Sequence, residues 1–197
     1  MQQFKSKDYV TILLVITNIA VYIFCTIQGN VLYNMGSLSV VDIINRQEYY
    51  RILTSLFLHA NPQHIWGNMI FLAALGDMLE RSIGHGRFFA IYMLAGIGGN
   101  LLSMGHELAT GQFCSTIGAS GAVFGLIGAL LLLICKNNGT YGQVSFRRMI
   151  FAIVYLFYSG IQSETTNNMA HLGGFITGFA VMAVFYCITR RRYKRIR

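Results

Sequence analysis

The stretch Thr116–Cys135 reads TIGASGAVFGLIGALLLLIC and contains no charged side chain. A helix of this length extends about 30 Å, which is the thickness of the hydrocarbon core of a bilayer. Because lipid offers no hydrogen bonds to the backbone, a spanning segment must satisfy its own N–H and C=O groups, and an α-helix does so. The stretch therefore predicts a helix that crosses a membrane.

The composition of the whole chain agrees with this interpretation. Hydrophobic residues make up 54% of the 197 residues and charged residues only 11%, whereas about 25% of the residues of a soluble domain are charged. Apolar runs recur along the chain, without the alternating segments of a transmembrane β-barrel. The sequence predicts an all-α, multi-pass integral membrane protein, a single domain over residues 1–197 with six spanning helices. The predicted spans are Tyr9–Ile27, Gln63–Leu79, Phe88–Met104, Thr116–Cys135, Met149–Gly160 and Ala170–Thr189.

The basic residues orient the predicted bundle. If the N-terminus is cytoplasmic, 13 of the 15 Lys and Arg residues fall on the cytoplasmic side, and only Arg46 and Arg51 lie outside. Such a bias is typical of cytoplasmic loops, so both termini are predicted to be cytoplasmic. The tail 190–197 holds six basic residues, which fits a cytoplasmic segment near anionic lipid and not a nucleic-acid partner. The expected location is the cytoplasmic membrane of a bacterium.

The segment between the first two spans, residues 28–62, is too polar to cross a bilayer and is rich in aromatic residues. It predicts an outer loop that lies in the membrane interface. Asn61-Pro62 at its end predicts a helix cap followed by proline at the first helical position. His59, just before it, is interpreted as a structural hydrogen-bonding residue.

Polar residues recur at the outer ends of three predicted spans. His64 and Asn68 lie four residues apart on one face of the second span, Ser120 lies a few residues inside the fourth, and His171 lies at the start of the sixth. These three spans run from the outside to the inside in the predicted topology, so the four residues lie at one depth. Polar and ionisable residues inside a membrane usually mark functional sites.

The four residues fit the requirements of acyl transfer. A serine nucleophile needs a base within hydrogen-bonding reach, and the tetrahedral intermediate needs donors for its oxyanion. Each cluster alone has an ordinary explanation, since serine beside glycine often packs helices and buried histidine often bridges them. Their convergence favours catalysis with Ser120 as nucleophile and His171 as base.

Two glycine stripes support this pairing. Gly121 and Gly125 lie on one face of the fourth span, and Gly174 and Gly178 on one face of the sixth. Stripes of small residues let helix backbones approach closely in lipid. Close approach would bring Ser120 Oγ and the His171 ring to roughly 3 Å, the distance that a nucleophile and its base require.

Three motifs occur in this order along the chain: His64-x-x-x-Asn68, Gly118-x-Ser120-Gly121 and Ala170-His171-x-x-Gly174-x-x-x-Gly178. With these motifs the chain resembles the rhomboid family over nearly all of its length, from about residue 47 to residue 187. Tyr50-Arg51 and Glu80-Arg81 also fit the family pattern.

The resemblance implies a six-helix core and an intramembrane serine endopeptidase. Such an enzyme cleaves membrane-anchored, single-span proteins in or near the outer part of the bilayer, with a Ser120–His171 dyad and no carboxylate. The oxyanion hole would consist of His64, Asn68 and the Ser120 N–H, with Gly118, Gly121 and Phe124 in support. No metal or other cofactor is expected, and the sequence has no H-E-x-x-H motif.

One position departs from the family pattern. The family often has tyrosine four residues after the serine, and this chain has Phe124. Phenylalanine one turn after Ser120 can still stack on the His171 ring, but it has no hydroxyl group. We therefore expect the stacking contact to be kept and the activity to survive.

Two other classes of protein compete with a protease. An inactive relative that binds or escorts membrane proteins would share the fold, but it should lack the dyad. A small transporter would tend to show internal repeats, and no clear repeat is present.

The segment 159–168 also has two interpretations, since it is either a mobile lid above the dyad or an ordinary loop beside a weakly anchored fifth span.

The cysteines provide a test of the predicted orientation. Cys114 falls in an outer loop between the third and fourth spans, and Cys135 falls at the inner end of the fourth. A membrane-impermeant maleimide added to intact cells should label Cys114 and not Cys135, with both labelled after permeabilisation. Labelling of Cys135 alone in intact cells would reverse the orientation.

Overall fold

The computed structural model describes residues 8–29, 31–163 and 166–195, most of which are helical. A single 3-10 turn at Ser55–Phe57 and a small antiparallel hairpin of β1 (Thr140–Tyr141) and β2 (Val144–Ser145) accompany the helices within these ranges. In chain order the helices are α1 (Tyr9–Gln28), α2 (Val31–Gly36), α3 (Val40–Arg46), α4 (Arg51–Thr54), α5 (Pro62–Ile83), α6 (His85–Thr110), α7 (Ser120–Lys136), α8 (Phe146–Ile161) and α9 (Asn168–Arg195).

Three helices in the described ranges are long and apolar enough to cross a bilayer. They are α1, α6 and α9 as far as Thr189, and they coincide with the predicted first, third and sixth spans. The helix α7 is equally apolar but shorter, α5 carries charged residues near its end, and α8 has 16 residues. The chain is therefore an integral membrane protein, while the count of six spans and the orientation stay predictions.

The start of the fourth predicted span differs from the structure. The helix α7 begins at Ser120, four residues later than Thr116, so the prediction that Ser120 lies a few residues inside the helix was wrong, and Ser120 is its first residue. Thr116 instead pairs with Leu38 through two backbone hydrogen bonds of 2.9 and 3.0 Å, and Gly118 has a φ of +126°. An extended residue and a glycine in this left-handed region prevent the helix from starting earlier.

The second predicted span begins as expected. Asn61 caps α5, its side chain accepting a 2.8 Å hydrogen bond from the His64 N–H, and Pro62 is the first helical residue. The fifth predicted span is longer than expected, since α8 starts at Phe146. Its start is set by Ser145, whose side chain accepts a hydrogen bond from the Arg148 N–H at 3.4 Å.

The segment 28–62 is ordered by the buried side chain of Arg51. Its guanidinium group donates hydrogen bonds of 2.9 Å to the carbonyl oxygens of Asn34 and Ser37 and forms an ion pair of 2.6 Å with Glu48. A buried charge is stable only when its donors are satisfied, and these contacts hold α2 against α4. The placement of this segment in the membrane interface stays a prediction.

The observed ends of α8 and α9 differ from the predicted bounds of two other segments. Because α8 runs to Ile161 and α9 begins at Asn168, the predicted lid segment 159–168 reduces to residues 162–167, and residues 164 and 165 lie outside the described ranges. The helix α9 continues into the predicted basic tail 190–197 as far as Arg195, and residues 196 and 197 lie outside the described ranges.

The glycine stripes form the contact between α7 and α9, as predicted. A methyl group on Gly174 would overlap the Gly121 carbonyl oxygen, and one on Gly178 would overlap the Gly125 carbonyl oxygen. The two backbones thus touch without intervening side chains. This contact lies directly below the first residues of both helices and fixes their separation.

The opposite end of the bundle is held by the carboxylate of Glu80. The side chain is fully buried and accepts hydrogen bonds from the N–H of Val10 at 2.9 Å and from the N–H and hydroxyl of Thr11 at 2.7 and 2.6 Å. It also lies 2.5 Å from His85 Nδ1. Glu80 therefore joins the start of α1 to the end of α5 and the start of α6.

We predict that Gly174→Ala destabilises the protein. The added methyl group must push α7 and α9 apart, and overpacking of this kind costs about 1–3 kcal/mol of the free energy of unfolding. Thermal unfolding in detergent measures the effect, with Gly105→Ala as control because Gly105 on α6 has open space around it. Equal unfolding temperatures for the two variants would contradict the role of the glycine contact.

Candidate active site

Ser120 and His171 form a direct hydrogen bond. Ser120 Oγ lies 2.9 Å from His171 Nε2. Ser120 is the first residue of α7 and is half-buried, while His171 lies in the first turn of α9 and is 9% exposed. The bond therefore joins the starts of the two helices that the glycine contact holds together.

The backbone around Ser120 supplies hydrogen-bond donors. The first N–H groups of a helix have no partner within it and carry the positive end of the helix dipole. Ala119, at the cap position of α7, has no side chain that could accept from them. The first turn of α7 therefore keeps N–H groups available beside the Ser120 hydroxyl.

His64 lies against the loop that precedes Ser120. A Cβ atom on Gly118 would lie 2.7 Å from His64 Nε2 and 3.8 Å from Ser120 Oγ, so only glycine leaves room for the imidazole beside the serine. Asn68 is buried one turn further along α5, and its Nδ2 donates to the His64 carbonyl oxygen at 3.0 Å. One of the two amide hydrogens of Asn68 stays available for another acceptor.

Phe124 stacks on the His171 ring, as expected from its position one turn after Ser120. The ring centroids are 4.1 Å apart with an angle of 11° between the planes, and Phe157 of α8 packs edge-on against Phe124 at 5.1 Å. His171 Nδ1 has no hydrogen-bond partner in the described part of the chain. The imidazole is therefore oriented by the Ser120 hydrogen bond on its edge and by Phe124 on its face.

His59 packs against two residues of the site, Ala119 and His64. The side chain is fully buried, its Nε2 accepts from the Ala119 N–H at 3.5 Å, and its ring packs edge-on against His64 at 5.1 Å. Burial, with a smaller contribution from His64, lowers the pKa of His59 to about 4. The ring is therefore neutral at neutral pH and can accept the hydrogen bond, which agrees with the structural role expected for it.

Asn167 belongs to the site and had no signal in the sequence. Its side chain contacts the loop that leads to Ser120. Its backbone carbonyl oxygen accepts a hydrogen bond from the His171 N–H at 3.2 Å. A single asparagine before a helix predicts a cap and no contact beyond it, so sequence reasoning missed the rest.

The arrangement provides the groups that acyl transfer requires. A hydroxyl is hydrogen-bonded to an imidazole that can take its proton, and N–H donors lie beside it. Among the described residues, no group of three or more His, Cys, Asp or Glu side chains is placed to hold a metal ion.

Comparisons with known proteins agree on one family. Residues 46–187 match the Rhomboid domain. The chain is 37% identical to RHOMBOID-like protein 1 of Arabidopsis thaliana, over 78% of this chain and 39% of that protein. It is 34% identical to Rhomboid protease GluP of Bacillus subtilis (strain 168), over 72% and 27%, and 31% identical to Putative rhomboid protease YdcA of the same organism, over 82% and 76%. The chain thus spans less than half the length of the first two relatives.

We predict that the stacking contact sets the reactivity of Ser120. Phe124→Leu removes the aromatic face, and an aromatic contact is worth about 0.5–1.5 kcal/mol, so the rate at which a fluorophosphonate labels Ser120 should fall roughly 2- to 10-fold. Phe124→Tyr keeps the ring and should label at close to the original rate. Equal rates for Phe124→Leu and the unmodified chain would show that the stack does not orient His171.

Proposed function

The chain belongs to the rhomboid family, and we propose that it is an intramembrane serine endopeptidase. In this proposal Ser120 is the nucleophile and His171 the general base. The observation that carries the proposal is the 2.9 Å hydrogen bond between Ser120 Oγ and His171 Nε2. The family, which includes named bacterial proteases, supports the same activity.

The proposed reaction proceeds in two steps. His171 Nε2 takes the Ser120 proton as Oγ attacks the carbonyl carbon of the scissile peptide bond, and the imidazolium then returns the proton to the leaving amine. An acyl ester on Ser120 results. His171 next takes a proton from water, the hydroxide attacks the ester, and the proton returns to Ser120 Oγ.

The oxyanion of each tetrahedral intermediate needs donors that are already in place. We assign this role to the Ser120 N–H, His64 and the second amide hydrogen of Asn68. The position of His64 against Gly118 and the helix start at Ser120 support the assignment. Loss of one such donor typically lowers the turnover rate by roughly 10²- to 10³-fold.

The substrates are proposed as a class. A site at the start of α7 and α9, between helices able to cross a bilayer, suits the membrane-anchored, single-span proteins that the rhomboid resemblance implies.

The proposed orientation, with both termini cytoplasmic, follows from the distribution of basic residues. The bacterial cytoplasmic membrane stays a prediction, since the relatives come from bacteria, plants and Toxoplasma gondii.

We expect Ser120→Ala and His171→Ala each to abolish cleavage of a single-span substrate in proteoliposomes, with unchanged thermal unfolding. The two residues act as one unit, so the double variant should be no worse than either single variant. Ser82→Ala and His106→Ala are matched controls, because both side chains are exposed. Cleavage at close to the original rate by either dyad variant would refute the proposal, and an inactive but folded unmodified chain would favour the escort alternative.

A further inference from the structure

The side chain of Asn167 connects three parts of the molecule. Its amide nitrogen donates to Ser103 Oγ on α6 at 2.6 Å and to Thr116 Oγ1, in the loop before Ser120, at 2.7 Å. Its amide oxygen accepts from the Ala170 N–H at 3.0 Å and so caps α9. Both amide hydrogens of Asn167 are therefore used in hydrogen bonds to other residues of the protein.

The partners of Asn167 are themselves fixed. Ser103 is buried and donates its one proton to the Glu107 carboxylate at 3.1 Å, so its oxygen presents a lone pair to Asn167. Glu107 is also buried and accepts from the Cys114 N–H at 3.3 Å. The loop 111–119 is thus anchored on α6 as well as on Asn167. A satisfied polar network of this kind is rigid, because each broken bond would leave a buried or half-buried group without a partner.

The spacing along the chain links this network to the dyad. Thr116 precedes Ser120 by four residues, and Asn167 precedes His171 by four residues. In the middle of the 111–119 loop, the backbone of Thr116 bonds to Leu38 and the Gly118 N–H bonds to the Ser55 carbonyl oxygen, both in the segment 28–62. The Asn167–Thr116 hydrogen bond connects the 111–119 loop directly to the chain segment that carries His171.

The Ser120–His171 pair therefore lies between two contacts. Below it, Gly121 and Gly174 bring α7 and α9 together, and above it Asn167 and Thr116 join the segments that enter these helices. Contacts on both sides of the pair restrict how far the two helix starts can move apart.

We propose that Asn167 is a positioning residue that holds Ser120 and His171 at reacting distance through its hydrogen bond to Thr116. This inference rests on the proposed protease function. Asn167 touches neither reacting atom, so it acts on the rate of the chemical step and not on substrate binding. Misplacing a reacting group by about 1 Å typically costs up to 10²-fold in rate.

Capping of α9 is the ordinary role of an asparagine just before a helix. The substitution Thr116→Val separates this capping role from the proposed positioning role. Valine matches threonine in shape and removes only the hydroxyl, so the Asn167 cap and the backbone pairing of residue 116 with Leu38 stay intact. The matched control is Thr110→Val, because Thr110 is exposed and its hydroxyl bonds only to backbone close to it in the chain. It donates to the His106 carbonyl oxygen at 2.9 Å and accepts from the Gln112 N–H at 3.4 Å.

The test measures kcat and KM on a single-span substrate in proteoliposomes, the rate of fluorophosphonate labelling of Ser120, and thermal unfolding. For Thr116→Val we expect kcat and the labelling rate to fall together by roughly 10-fold or more, with KM and the unfolding temperature close to those of Thr110→Val. Asn167→Ala should lose at least as much kcat. The double variant Asn167→Ala/Thr116→Val should be no slower than Asn167→Ala, because Asn167→Ala already removes the bond that Thr116→Val breaks.

Three results would overturn the inference: labelling of Thr116→Val at the original rate, a rise in KM with unchanged kcat, or additive losses in the double variant. If Asn167→Ala does not fold, Thr116→Val alone decides. An unmodified chain that neither cleaves substrate nor reacts with the fluorophosphonate would instead refute the protease function, which separates the two failures.

Discussion

The backbone contact between α7 and α9 is the constraint on which the site depends. In lipid, helices gain nothing from hiding apolar side chains from water, so close packing has to come from shape. Gly121, Gly125, Gly174 and Gly178 provide that shape by leaving carbonyl oxygens of α7 against the backbone of α9. The separation that results is small enough for a serine on one helix start to reach a histidine on the other.

The helix starts explain why polar side chains surround the site at this end of the bundle. Helix starts present N–H groups that need acceptors, and the loops that enter them bring polar side chains. Asn167, Ser103, Glu107 and His59 are all at least half-buried there, and each bonds to a neighbour within the protein. Polar groups that satisfy one another can be buried at little cost, and they surround Ser120 and His171, the proposed reactive pair.

The sequence predicts what depends on local pattern. Apolar runs indicate the helices, the glycine stripes predict the α7–α9 contact, and the capping pair Asn61-Pro62 predicts the start of α5. What it misses depends on partners far along the chain. The delayed start of α7 needs Leu38, 78 residues before Thr116, and the hydrogen bond of Asn167 joins residues 51 positions apart. Nothing in the composition of Thr116–Ala119 distinguishes an extended segment from a first helical turn.

In the proposed catalytic pair, the orientation of His171 shows how an apolar surrounding changes what such a pair requires. A triad places a carboxylate behind the imidazole to hold its tautomer and angle. A buried charge is expensive at membrane depth unless it is fully paired. The described residues offer no hydrogen-bonding partner for His171 Nδ1, and the face of Phe124 orients the ring instead. An aromatic contact fixes the plane of the imidazole without adding a charge, and the distance to Ser120 then depends on the contacts that hold the starts of α7 and α9 together.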